Sequence, residues 1–367
     1  MKKILLLFVL LHSLLMPYKT LRGEDILKNI EIGRIFCADK DGYIFTNYRS
    51  HVIKKYSKDG KLILEIGREG RGPGDINRLA WFSINPKDEK IYVTELTDGN
   101  KWISIFSKNG KFLDEWDIEL DRTIWTGLSF IKFDKNGNAF LMATRTHWSK
   151  YKDFQLGKVE RVIFKFLPDG KKTGLIYGLQ SDFWADKNGK SNITIPFHNY
   201  VYYDLWNDYL AIRESWHDYI SIYNLEGRLI KKLFLPFKRE KVTKKDIAEW
   251  EEWLKSSPSI RKKISQGILD LNYWKKNLPF PGYKPVSGGK IFFDHNGGIF
   301  TKKFAGFTEG NPQTWVKINI KTGQTTYKQM KKNEYLLYVT KKSIYLLRII
   351  DDENHEVVRV DRNEYGF

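Results

Sequence analysis

A single cysteine, Cys37, stands in 367 residues, so no internal disulfide can staple the fold. The chain also lacks the short patterns that carry common chemistries. It has no G-x-S-x-G elbow to present a serine nucleophile and no H-E-x-x-H pair to hold zinc. Its most glycine-rich stretch, IGREGRGPGD (66 to 75), is not a phosphate cradle. Gly67 and Gly72 have the separation of a P-loop, but Pro73 and Gly74 occupy the places of the phosphate-reaching Lys and the Mg²⁺-holding hydroxyl. Read as G-x-G-x-x-G, the same stretch puts Asp75 or Asn77 where the third glycine belongs. DKDG at 39 to 42 fails as a calcium loop, because with Gly42 at position six the first ligand would be Cys37. These absences exclude nucleotide and EF-hand chemistry and leave no cofactor to expect.

Long apolar runs are missing after residue 16. Before it, Lys2 and Lys3 precede a stretch from Ile4 to Met16 broken only by His12 and Ser13. That is short for a membrane span and reads as a secretory leader, residues 1–23, with cleavage between Pro17 and Glu24. No A-x-A-like site is present, so the alternative is an uncleaved N-terminal anchor. The chain carries 62 basic and 44 acidic residues, a net +18. Lys2, Lys3, Lys19 and Arg22 lie before the first acid, Glu24, so +14 remains on residues 24–367. The basic residues are scattered over turns without a dense run, which argues for a solvated surface rather than nucleic-acid binding. An exported protein with no membrane span in its mature chain, periplasmic or extracellular and monomeric, is the expectation.

What is abundant is short alternating strands punctuated by turns. One set reads DKDGYIF (39 to 45), PKDEKIYV (86 to 93), DKNGNAF (134 to 140) and DHNGGIF (294 to 300). A second, one hairpin later, reads SKDGKLI (57 to 63), SKNGKFL (107 to 113), LPDGKKT (167 to 173), NLEGRLI (224 to 230) and IKTGQTT (320 to 326). Asp-Gly and Asn-Gly suit two-residue hairpin turns, which need positive φ. The glycines at 60, 110, 170 and 227 recur every 50 to 60 residues, so each repeat holds four strands, a to d. Blades fall near 33–67, 78–118, 127–179, 199–237, 287–330 and 333–361. The last has three strands of its own, and DILKNIEI (25 to 32) is its expected fourth, closing the ring and protecting its edge.

The IGREGRGPGD segment, the D-x-x-G-x-I-F/Y turn and FPGYKPVSGGKIFFDHNGGIFTKKF (280 to 304) resemble the NHL-like six-bladed β-propellers of exported bacterial proteins. The resemblance spans residues 24–367. It implies that the Gly-rich segment links one blade to the next, and that the protein is a scaffold for a ligand or partner.

Loop parity divides the ring's two sides. The a–b and c–d turns share one side and are minimal; the b–c and d–a connections share the other and are long. The longest, 238–285, changes period from two to about 3.6. Thr243 with Asp246 and Ser257 before Pro258 start helices near 244–255 and 258–276, a hairpin inserted between blades 4 and 5. Side chains at the ends of the b strands are expected near the central opening: Arg49, Glu95, Arg145, Arg213, Glu214, Lys303 and Arg348. Their guanidinium and ammonium groups suit a carboxylate or phosphate, or else pair with Glu95 and Glu214. Trp148 and Trp216 on the same loops suit stacking on a sugar, and His217 beside Glu214 is the nearest approach to an acid–base pair. The expected function is therefore non-catalytic binding of an envelope protein or an acidic glycan or small ligand on the long-loop side. The alternative is a metal-dependent lyase or hydrolase of the propeller type, working in the central channel.

Overall fold

The computed structural model describes residues 25–27, 30–31, 33, 35–48, 51–95, 102–118, 120, 125, 127–146, 156–185, 192–193, 196–267, 270–272, 276, 281–294, 296–307, 312–351 and 354–366. The proposed leader lies outside them. The chain forms an all-β, six-bladed propeller of six antiparallel sheets, five with four strands and one with five. The innermost strands, one per blade, are Phe36–Ala38, Leu79–Ile84, Gly127–Phe133, Val201–Trp206, Ser287–Phe293 and Glu334–Val339. The Gly-rich segment runs from the outermost strand of blade 1, Leu62–Ile66, to the innermost strand of blade 2. In blade 6 the outermost position belongs to Asp25–Leu27, which pairs antiparallel with His355–Asp361 in the register Asp25↔Arg359 and Leu27↔Val357.

Apolar residues at alternate positions of each strand face the neighbouring blade, so burial lies between blades. A cluster of buried side chains fills each of the six junctions. The junction between blades 6 and 1 includes Leu27 and Ile30 beside Phe36, Tyr56, Tyr345 and Val357.

The turns differ from the two-residue type that their dipeptides suggest. In SKDGK, Gly60 N–H donates to Ser57 O and Ser57 N–H to Lys61 O, and only the glycine has positive φ, +83°. This is a type I turn closed by a left-handed glycine, and it leaves a bulge where Tyr56 pairs with Leu62 but Lys55 with Leu64. The a–b turns use their leading acid as a cap. Asp294 Oδ1 accepts from Asn296 and Gly298 N–H, each at 2.8 Å, and Asp39 and Asp134 do the same. The recurrent Asp thus follows from turn geometry.

The Gly-rich segment closes on itself. Arg68 O accepts from Ile76 N–H (2.7 Å), Gly72 N–H donates to Asp75 Oδ2 (2.9 Å), and Arg68 Nε meets Asp75 Oδ1 at 2.6 Å. Gly74 has φ +81°, and a Cβ there would lie 2.8 Å from Phe112 Cβ. Close approach to the outer strand of blade 2 therefore fixes that glycine.

Blade 3 departs most from the turn-based reading. Residues expected in long connections extend its outer strands to Leu156–Phe166 and Lys172–Ala185, which pair with each other past the blade edge, Lys158 opposite Asp182. Two helices, α1 (Lys244–Ser256) and α2 (Pro258–Ser265), follow strand Leu229–Phe234 and precede Ser287–Phe293. Thr243 and Asp246 form a reciprocal capping box on α1, and Trp250 and Leu254 are its buried face. Helix α2 stops at Ser265, short of 276, and Gly267 just beyond takes φ +65°.

Candidate functional site

The inner strands leave a cavity of about 740 Å³ on the ring axis, to which all six blades contribute. Its rim is built from a–b and c–d turn residues, among them Asp39, Lys58, Asn85, Lys108 and Lys342. The cavity therefore opens on the short-turn side, opposite the long connections. Trp81, Phe130, Tyr202 and Lys290, from the middle and early parts of their strands, form its floor. Trp81 and Phe130 ring centres are 4.5 Å apart, Phe130 and Tyr202 6.2 Å, and Lys290 Nζ lies 5.2 Å over the Trp81 ring. Cys37, Lys132, Asp204 and Tyr338 stand nearer the mouth.

Charge in the cavity is unbalanced. Its lining holds eight basic and four acidic side chains, an excess of four positive charges. Within, Lys132 Nζ pairs with Asp204 Oδ1 at 2.9 Å, while Asp204 Oδ2 accepts from Phe293 N–H at 2.8 Å. Lys290 lines the same cavity, within electrostatic reach of Lys132. Burial, and then Lys132, push the Lys290 ammonium down to about 8. Burial pushes the Cys37 thiol up to about 12, so it stands as a neutral S–H on the wall and not as a nucleophile. At the rim, Lys108 gathers Asp41 at 2.6 Å, Asp39 at 3.2 Å and Glu89 at 3.6 Å, neutralising the acidic part of the mouth.

Four of the six inner strands are irregular. Pairing with the second strand shifts between Leu79 and Trp81, Ser129 and Ile131, Gly288 and Phe292, and Leu336 and Tyr338. Each shift adjoins a side chain that lines the cavity: Trp81, Phe130, Lys290 and Tyr338. Bulges re-aim side chains, and they recur where a sheet serves a site. Phe130 also holds φ +41°, an unfavourable setting for a bulky residue, with its carbonyl accepting from the Tyr203 hydroxyl.

The residues singled out from sequence lie elsewhere. Arg49 and Trp148 fall outside the described residues. Glu95, Arg145, Glu214, Lys303 and Arg348 do reach the long-loop ends of their strands, but none of the described candidates lines the cavity, because b strands are one place removed from the axis. Their ion pairs are not with Glu95 and Glu214. Arg145 pairs with Glu160, Arg348 with Glu334 (3.1 Å) and Lys303 with Glu240 (2.7 Å). Buried Glu95 instead accepts from Asn77 N–H (2.9 Å) and Arg78 N–H (3.3 Å), pinning the end of the Gly-rich segment. Glu214 accepts from the Tyr177 hydroxyl and from Asn199 Nδ2 (2.7 Å), with His217 Nδ1 3.4 Å away. Trp216 Nε1 donates to Phe197 O at 2.6 Å, and Arg213 is fully buried. Among the described residues, no group of three or more His, Cys, Asp or Glu is placed to hold a metal ion, and no helix is long and apolar enough to cross a membrane. The cavity residues were missed because turn motifs reveal strand order but not which inner-strand side chains a bulge turns to the axis.

A family model described as a 6-bladed beta-propeller matches residues 18–215. No curated protein matches. Among solved structures, a Bacteroides vulgatus protein of the duf4221 family is similar at 11% identity and TM-score 0.53, over 92% of this chain and 95% of that one. A Bacteroides caccae protein of unknown function is 15% identical over 81% of each chain, with TM-score 0.40. The likeness is one of fold.

Proposed function

We propose, for a chain that belongs to this 6-bladed beta-propeller family, that it is an exported, non-catalytic binding protein that receives a small acidic ligand in its axial cavity. The observation that carries the reading is the conjunction, at one place, of an aromatic floor, a Lys132–Asp204 pair beside a second lysine, Lys290, and bulges that turn Trp81, Phe130 and Lys290 inward. A ring-shaped body would lie on Trp81 and Phe130 while its carboxylate meets Lys132 and Lys290. Uronic acids and aromatic carboxylates have that form. The N-terminal strand closes the ring in this proposal, and the NHL-like turn pattern supplies the frame. The α1–α2 pair is an insertion on the long-loop side, tied down by Lys284 to Asp246 (2.9 Å) and Glu240 (3.1 Å).

On the long-loop side, an acidic ligand would have to displace Glu160, Glu334 and Glu240 from their cations before using Arg145, Arg348 and Lys303. Those three paired cations suit a partner protein better than a small anion. The test is a thermal-shift and calorimetric screen of glucuronate and 4-hydroxybenzoate against their methyl esters. The acids should stabilise the protein and the esters should not. Trp81→Ala and Lys132→Met should abolish the effect. Equal responses to acid and ester, or responses indifferent to both substitutions, would refute the cavity as the site.

A further inference from the structure

A second group of cations gathers around Tyr202 on the side of the floor away from the cavity mouth. Arg213 is fully buried; one Nη donates to Ser287 Oγ and the other to Gly289 O, and its Cζ lies 5.0 Å from the Tyr202 ring centre. Its Nε has no hydrogen-bond partner. Lys302 runs past the same glycine. A Cβ on Gly289 would lie 2.6 Å from Lys302 Cε and 3.4 Å from its Nζ, so the ammonium and the guanidinium share one neighbourhood. Arg161 of blade 3 donates to Ser181 Oγ and lies within electrostatic reach of Tyr200 and Tyr202.

No carboxylate balances these groups among the described residues. Arg161 and Arg213 lie within electrostatic reach of Tyr202, and Lys302 within reach of Arg213. Burial lowers all three, Lys302 to about 8 and Arg213 to about 10. Cations removed from water without a counter-charge are strongly unfavourable, and a bound anion would relieve them. Tyr200 is exposed, and Arg161, Lys302 and Gly288 are half-buried, so the group is reachable from solvent.

We propose that Arg161, Arg213 and Lys302 form a second anion site, distinct from the axial cavity, that takes a carboxylate or phosphate group. The Arg213 Nε–H and the Lys302 ammonium supply the donors, and Arg161 adds charge.

Isothermal titration with inorganic phosphate and, separately, acetate tests this and tells the two chemistries apart. At least one probe should bind. Lys302→Met and Arg161→Met should each weaken that binding roughly tenfold or more, as expected for loss of a charge-assisted contact, with the melting temperature preserved. Lys302 is half-buried and Arg213 fully buried, so the test uses Lys302 and not Arg213. Lys132→Met, which disables the axial cavity, should leave this binding in place. Absence of binding by both probes would overturn the assignment. So would unchanged affinity in the Lys302 and Arg161 variants, or loss in Lys132→Met.

Discussion

Removing the buried side chains of the N-terminal strand should open the ring. Leu27 and Ile30 are 2% and 6% exposed and fill the junction between blades 6 and 1. Truncating a buried Leu or Ile to Ala costs about 2–5 kcal/mol, from lost transfer energy and the cavity left behind. Being neighbours in one cluster, the two are not additive, and a combined loss of about 5 kcal/mol is the working figure. The Asp25–Arg359 pair adds little, because its carboxylate is exposed. Arg359 does, however, also reach Lys58 O of blade 1 at 2.7 Å, so the last blade leans on the first through that residue as well. Domains are stable by about 5–15 kcal/mol, so the double variant Leu27→Ala/Ile30→Ala should sit at the edge of unfolding. It should also expose His355–Asp361 as an unpaired edge and associate. Urea denaturation followed by Trp fluorescence, with size-exclusion chromatography, measures both. A loss under about 1 kcal/mol in a protein that stays monomeric would mean that the strand does not close the ring.

Three further outcomes are expected. Lys290, held near 8 in the folded protein and near 10.4 in the unfolded chain, binds fewer protons when folded between those values, so its contribution to stability grows as pH rises through that window. Lys290→Met should accordingly stabilise the protein by on the order of 3 kcal/mol at pH 7 and by almost nothing above pH 10; a gain independent of pH would refute the cause. Gly74→Ala, at φ +81° and 2.8 Å from Phe112 Cβ, should cost roughly 1–3 kcal/mol in urea melts, whereas Gly282→Ala, with open space around it, should be near neutral. Cys37, with a thiol near 12, should resist iodoacetamide at pH 8 while the protein is folded and react once it is denatured; rapid labelling of the native protein would show a thiolate.

The frame was legible because turns leave strong local marks. The Asp that caps the a–b turns of blades 1, 3 and 5 and the glycines that close the c–d turns are fixed by backbone needs within five residues, and they mark strand order and the number of blades. The type of turn was less legible. A bulge depends on how the paired strand is met, and the same Asp-Gly dipeptide serves either geometry. The extended outer strands of blade 3 were hidden for a related reason, since 156–161 belongs to a polar stretch that reads as loop yet pairs with 179–184.

The axial cavity was hidden by a different mechanism. Loop length drew attention to the b-strand ends, whose charges are spent on Glu160, Glu334 and Glu240. The residues that face the axis lie in strands that look ordinary: WFSI, FIKF, YDLW, KIFF. Alternation alone would give each of these strands a uniform inside and outside. In WFSI, FIKF and KIFF a bulge breaks it, and nothing in the local sequence announces the break except Gly288-Gly289.

That break also separates frame from site physically. Junctions between blades are regular and filled with aliphatic and aromatic side chains, so they tolerate little change and hold the inner strands at fixed positions. Against that fixed frame, Phe130 can be kept at φ +41° with its ring between Trp81 and Tyr202. Relaxing it would require its carbonyl to leave the Tyr203 hydroxyl, whose single proton it shares with Phe140 O, 2.7 Å away in the core of the next junction. The strained residue is thus clamped from the blade 4 side, and the floor of the cavity is set by packing that a ligand does not need to supply.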